Sequence, residues 1–437
     1  MKKYLCSILF LLMLGLPLFA MGGGEEESDT IEGSEIVVLS WESDNPQTST
    51  VKAHLPAFEE QTGVKVNFTT MGFGDLHTRM ATLFASKSDA VDVAAVWKGS
   101  VQRFAAPGYL YDISDDVSED YVEGLTAAVD SFRYEDGLYG LPYFMSFRMF
   151  YYNKAIFRDA GLDPDNPPET WEELVAAAKA TTKDTTGNGK VDQWGLLPTG
   201  IGDADNSVMD FQMLYYLSGG DGLFDENDNP TFNSPAGVKA LTLYKELYEA
   251  EVVDPASWTI DSGGDRRARW MQGHTAMVFE WPSLWKQANT LESSKVKGDV
   301  GIAPMPKIER IAGISGDEGL AVSAFSKNKK AGVALLKFIS STEINKENTL
   351  RVGWMPTQVS LLTDPDIQDD PSLAPMMKVA SVQNRYYMDR FAAPYSNEVS
   401  NEALGVAIVN AVEGSMGIEE ALEWAEEKSK EIVASYK

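Results

Sequence analysis

Apolar positions along the chain follow two periods in alternation. "EIVVLSW" (Glu35–Trp41) is β-branched and apolar and predicts a strand. In "DNPQTSTVKAHLPAFEEQTG", Val51, Leu55 and Phe58 fall on one helical face, and Gly63 stands where a helix would stop. "VKVNFTT" then alternates as a strand, a helix is expected around Leu76 to Ser86, and "AVDVAAVW" (Ala90–Trp97) reads as a buried strand. Strand, helix, strand, helix, strand predicts an α/β layer on a mostly parallel sheet.

The middle and the end of the chain carry more helical patterns. In "PPETWEELVAAAKATT", Thr170 as N-cap with Glu173 three residues on forms a capping box. Ser234 followed by Pro235 opens a helix with Val238, Leu241, Tyr244 and Tyr248 at helical spacing. "SKNKKAGVALLKFISST" and "GIEEALEWAEEKSKEIVASY" repeat the amphipathic pattern. No repeat or Pro/Gly-rich linker divides the chain, so domains are expected to interleave.

One run breaks the pattern. "LPYFMSFRMFYYNKAIF" (Leu141–Phe157) holds seven aromatic residues, two Met and Arg148, with no carboxylate. A buried strand, a membrane-facing patch and the lining of a binding site all fit such a composition.

The first twenty residues read as a cleaved secretory signal: Lys2 and Lys3, an apolar stretch from Leu5 to Leu16, then Leu18-Phe19-Ala20. That stretch is short for a membrane span. The only cysteine, Cys6, lies inside it, so the exported protein would have no disulfide and no thiol nucleophile. "LFAMGGGEEES" contains no cysteine to acylate, which argues against a lipid anchor, and its Gly22-to-Glu27 tract reads as part of a flexible tether over residues 21–34. A periplasmic or extracellular location follows. About 417 residues then remain, enough for two or three domains. The formal charge of −28 argues against nucleic acid or an anionic membrane surface as a partner.

Catalytic motifs are scarce. His54, His77 and His274 are scattered, and no GxSxG elbow or P-loop occurs. With 65 acidic residues a glycosidase dyad is not excluded, but nothing singles out two of them. No cofactor is expected. In "DTTGNGKVDQWG", Asp184, Thr186, Asn188, Gly189 and Asp192 match five positions of a calcium loop. Gly195 stands where the closing carboxylate belongs, so a Gly/Asn turn is the simpler expectation.

The tryptophans are more informative. Trp41 and Trp97 end strands, and carboxyl ends of strands in open α/β sheets are where ligands bind. Trp281 and Trp285 flank Pro282, and Trp354 lies in the turn "VGWMPTQ". Indole faces stack on the C–H groups of a sugar, while carboxylates or a guanidinium such as Arg148 bind its hydroxyls.

Several blocks in order carry a resemblance: "DGLYGLPYFMSFRMFYYNKAIFRDAGLDPDNPPETWEEL", "RRARWMQGHTAMVFEWPS", "GDVGIAPMPK", "GLAVSAFSKNKKAGVALLKFISSTE", "GWMPTQVSLLTDP" and "EALGVAIVNAVEGSMGIEEAL". Together they resemble the carbohydrate-binding extracellular solute-binding proteins of ABC importers, the maltose-binding-protein type. The resemblance implies a type II periplasmic-binding-protein fold, two α/β lobes joined by chain crossings with a ligand cleft between them. Mapped here, the crossings fall near Phe144–Arg148, Met305–Gly313 and Arg351–Pro356. The implied lobes are 35–145 with 309–352, and 146–308 with 353–437. The implied function is capture of a mono- or oligosaccharide by a monomeric receptor that delivers it to an ABC permease, without catalysis. A receptor of the same fold for a polyamine, peptide or polyol phosphate, or a secreted glycoside hydrolase, are the rival readings.

The resemblance also implies contact residues. Trp41 and Glu42 match the position after the first strand, and Trp97 follows the "DV" strand at Asp92. Tyr143, Phe144 and Ser146 match positions after Leu-Pro, with Ser146 replacing the acid of many relatives. Trp281 occupies the place of a glycine, and Glu318 that of a stacking aromatic. Arg148, Trp285 and Trp354 complete the expected ligand-binding set.

Overall fold

The computed structural model describes residues 30–42, 49–202, 204–260, 263–387, 393 and 395–436. The expected signal and most of the expected tether lie outside these residues. Apart from a two-residue hairpin, the strands in chain order are β1 (Glu35–Ser40), β2 (Lys65–Thr70), β3 (Val93–Trp97), β4 (Leu141–Phe144), β5 (Met149–Asn153), β6 (Trp194–Leu197), β7 (Thr275–Glu280), β8 (Val300–Ala303), β9 (Ala312–Ser315), β10 (Glu318–Val322) and β11 (Asn384–Tyr387).

Two lobes result, each built on its own sheet. The first sheet has the order β2-β1-β3-β10-β4. Its β1, β2 and β3 run parallel, as the alternating pattern predicts, while β10 returns from late in the chain and lies antiparallel between β3 and β4. The helix Leu55–Thr62 links β1 to β2 and ends at Gly63, whose φ of +70° suits a residue without Cβ. Val38, Phe58, Phe84, Val96 and Leu336 belong to the core around this sheet.

The second sheet has the order β8-β5-β7-β6 and is covered on both faces. Strand alternation divides β5 between them. Phe150 and Tyr152 enter one core, with Ile156, Phe157 and the helices Ala204–Leu217, Pro235–Glu249 and Ile418–Ser435. Met149 and Tyr151 enter the other, with Trp270, Leu284 and Met376. Both capping signals are realised: Thr170 and Glu173 exchange their two bonds, each 3.2 Å, and Ser234 accepts from the Gly237 amide.

Among the described residues the chain passes between the sheets three times, side by side. Met145–Arg148 is the central passage. Met145 bridges Met355 of the third, and Phe147 bridges Ser315 of the second. Ala312 and Ile314 still pack in a core of the second lobe, and Glu318 is already in the first sheet. The second passage therefore falls at Gly316–Asp317, later than the Met305–Gly313 expected from sequence. Two buried amides tie the passages together. Asn345 donates to Tyr143 O and accepts from Thr357 N, both at 2.8 Å. Gln383 donates to Arg148 O at 2.6 Å and accepts from Met305 N at 2.8 Å.

Candidate functional site

Strand direction sets which side chains meet at the passages. The C-terminal ends of β1, β3 and β4 and the N-terminal end of β10 lie on one edge of the first sheet. That edge is where the chain leaves for the second lobe, and it carries Trp41, Trp97, Phe144 and Glu318. In register, Glu318 sits opposite Trp97 on one side and Phe144 on the other.

Glu318 is the centre of this group. One carboxylate oxygen accepts from the Trp41 indole N–H and from the Tyr143 hydroxyl, the latter at 3.0 Å. Only 6% of Glu318 is exposed. Burial pushes its carboxyl well above the usual range; the bonds from Trp41 and Tyr143 oppose this, and the nearby Glu42 charge adds to it. Burial likewise raises the Tyr143 hydroxyl, with the Glu318 and Glu42 charges acting in the same direction.

Glu42 turns into its own loop. It accepts from Ser49 Oγ at 2.6 Å, from the amides of Thr50 and Val51 at 3.0 and 2.9 Å, and from the Thr50 hydroxyl. Trp97 is buried with the His77 ring 3.8 Å from its own. Phe144 stacks on Trp354. Trp41 is the partly exposed aromatic of this wall.

A second wall comes from the C-terminal ends of the parallel strands β6 and β7. Glu280 ends β7, and Trp281 follows it, partly exposed and packed against cores of both lobes. Glu280 Oε2 accepts from Arg266 Nε at 2.8 Å, and Arg267 lies 3.5 Å from Oε1. Burial would raise the Glu280 carboxyl, but the Arg266, Arg267 and Arg148 guanidiniums overcome it and hold the group down to about 2. Asp210 lies nearby and accepts from the Thr199 amide at 2.7 Å and the Tyr244 hydroxyl at 3.1 Å. Burial raises its carboxyl against the pull of Arg148 and Thr199.

Of the residues predicted from sequence, the structure joins Trp41, Tyr143 and Glu318 by hydrogen bonds and Phe144 with Trp354 by stacking. Arg148 lies against the Trp281 ring of the second wall. Ser146 faces the passages, its hydroxyl donating to Gly316 O at 2.7 Å. Trp285 packs against the core that holds Tyr151 and Leu284. Sequence reasoning missed Thr199, Asp210, Arg266 and Glu280, and also Asp317, whose Oδ1 accepts from the Ser146 amide at 3.1 Å. Asp210 did leave a signal, as the single acid in the apolar run "SVMDFQMLYYL".

In the calcium-like loop the acids serve the backbone. Asp184 accepts from the amides of Thr186, Gly187 and Gly189, and Asp192 from that of Thr185. Among the described residues, no group of three acidic, His or Cys side chains is placed to hold a metal ion.

Residues 43–346 match the family described as bacterial extracellular solute-binding protein. A galactooligosaccharide-binding protein of Bacillus subtilis is 24% identical over 447 residues, 97% of this chain and 96% of its own. A probable amino-acid ABC transporter periplasmic-binding protein of Sinorhizobium fredii is 26% identical over 321 residues, 71% of this chain and 70% of its own. Among solved structures, maltose-bound MalE3 of T. maritima superposes with a TM-score of 0.78 at 25% identity, covering 91% of this chain and 99% of its own. A ribitol complex of a solute-binding protein from Agrobacterium radiobacter K84 has the same TM-score at 24% identity, covering 92% and 100%.

Proposed function

This chain belongs to the bacterial extracellular solute-binding proteins, the substrate-binding receptors of ABC transporters, and from that premise we propose that its solute is a mono- or oligosaccharide held between the two walls just described. The carrying observation is Glu318. One of its oxygens is fixed by Trp41 and Tyr143, beside a partly exposed indole, with a second such indole, Trp281, on the second wall. Aromatic faces with an oriented carboxyl between them suit the C–H faces and hydroxyls of a sugar. Micromolar affinity requires about 8 kcal/mol, within reach of two stacked rings and a few hydrogen bonds.

In this reading Trp41, Glu318 and Trp281 meet the ligand, and Tyr143, Trp97, Phe144 and Trp354 back them. The receptor acts as a monomer outside the cytoplasmic membrane, exported by the N-terminal signal, and hands its ligand to the permease. The lobes are 35–145 with 317–352, and 146–316 with 353–437. A cationic solute such as a polyamine is the second reading, favoured by the two buried carboxyls, Glu42 and Glu318, beside aromatic rings.

A thermal-shift screen of the purified protein against neutral sugars, polyols, polyamines and peptides tests both. A sugar should raise the melting temperature and be recovered uncleaved. A shift with polyamines and with no carbohydrate would overturn the sugar assignment.

A further inference from the structure

Trp281 is held on three sides by groups that do not belong to the first wall. Behind it, the Arg148 guanidinium carbon lies 5.0 Å from the ring centroid. At its backbone, the Trp281 amide donates to Glu280 Oε1 at 3.0 Å. At its edge runs the second passage, where a Cβ on Gly316 would come 2.9 Å from Cη2 and 3.2 Å from Cζ3 of the indole. The φ of Gly316 is not in the left-handed region, so the glycine serves close approach alone.

Arg148 is itself fixed. It is fully buried, and its Nη1 donates at 2.8 Å both to Thr199 Oγ1 and to Phe279 O. Its Nη2 lies 2.8 Å from Met209 Sδ. Arg266 binds Glu280 and the Thr199 carbonyl, so the same loop and strand end anchor both guanidiniums. A cation against an indole face is attracted by the ring quadrupole, and more so when desolvated. It also occupies one of the two faces on which a ligand could stack.

We propose that Arg148 is a positioning residue: it holds Trp281 as a platform with one usable face, and it affects ligand affinity only through that indole. Gly316 completes the mount and links the platform to the passage between the lobes. The proposal rests on the sugar-receptor reading for its ligand, although the mount itself does not. Arg148 was expected from sequence to bind the ligand directly, and the two roles predict different coupling.

Two measurements on the full chain decide between them. The first needs no ligand. The chain has ten tryptophans, so the Trp281 signal is taken as the difference between each protein and its W281F counterpart. Acrylamide quenching of that signal should rise in R148M and in G316A relative to wild type. Unchanged quenching in R148M would overturn the mount. The second is a double-mutant cycle on whichever carbohydrate the screen identifies. R148M should weaken binding by about tenfold in the wild-type background and by under about twofold in W281L. Equal losses in both backgrounds would show that Arg148 acts without Trp281 and would overturn the proposal. If R148M does not fold, R148K carries both tests, since it keeps the charge and loses the planar face. If no carbohydrate binds, the functional reading fails and the quenching result still decides the mount.

Discussion

Phe144 and Trp354 stack with ring centroids 4.2 Å apart and 6° between their planes. Phe144 ends β4 at the first passage, and Trp354 lies in the third, so the stack joins two of the three segments connecting the lobes. Phe144→Ala should cost about 3–5 kcal/mol in urea unfolding, the usual range for emptying a buried aromatic site. Phe144→Leu should cost distinctly less. Equal costs for the two would mean that the ring stack, and not the buried volume, carries this contact.

Glu318 makes stability depend on pH in a stated direction. Burial raises its folded carboxyl above the unfolded value, so the folded protein holds the proton more tightly. The resulting stability is fully present below the unfolded value of 4.5 and is lost as pH rises toward the folded one. Glu318→Gln removes the titration and keeps an acceptor for Trp41 and Tyr143. Its melting temperature relative to wild type should climb steadily from pH 4.5 to 8. A constant difference across that range would sink the claim.

Glu280 behaves in the opposite sense. Its folded carboxyl is held down to about 2 against an unfolded 4.5, so its contribution is present above 4.5 and lost as pH falls toward 2. Glu280→Gln leaves the buried Arg266 and the partly exposed Arg267 without their carboxylate and should cost about 3–5 kcal/mol at pH 7. The gap to wild type should narrow as the solution is acidified below pH 4.5. Chemical denaturation at pH 7, 5 and 4 measures it.

These contrasts show why some of the site was legible in sequence and some was not. Trp41 and Trp97 could be placed at strand ends because strand periodicity is local, and the capping box at Thr170 is a four-residue signal. The pairing of β10 between β3 and β4 joins residues more than 170 positions apart, and nothing local marks it. The buried charges are illegible for the same reason. Glu280 is one of 65 acidic residues until the fold puts Arg266 against it. Arg148 could be singled out as a lone cation among aromatics, but its partners Thr199 and Phe279 come from two other strands' ends.

The Asp184 loop gives a prediction about metal. Asp184 Oδ2 is held by the Gly189 amide at 2.6 Å, and Oδ1 by the Gly187 amide at 2.7 Å. Both oxygens are thus already engaged by the backbone of their own loop. Millimolar calcium or a chelator should leave the melting temperature unchanged. A calcium-dependent rise abolished by Asp184→Ala would show that the loop rearranges around an ion.

Gly313 tests how tightly the passages are packed. A Cβ there would stand 2.1 Å from Gln383 Nε2 and 2.6 Å from the Arg148 carbonyl oxygen. Those two atoms are bonded to each other at 2.6 Å, and Gln383 also holds the Met305 amide. An added methyl must therefore displace the amide that ties the first passage to the strand leaving β8. Gly313→Ala should cost about 1–3 kcal/mol, the range for overpacking a dense interior. Removing the Gln383 side chain as well clears the first clash but leaves the Arg148 carbonyl, which is backbone and cannot rotate away. The double variant Gly313→Ala, Gln383→Ala should therefore be no more stable than Gly313→Ala alone. Recovery of stability in the double variant would mean that the side-chain amide, and not the neighbouring strand, is what excludes a Cβ from this position.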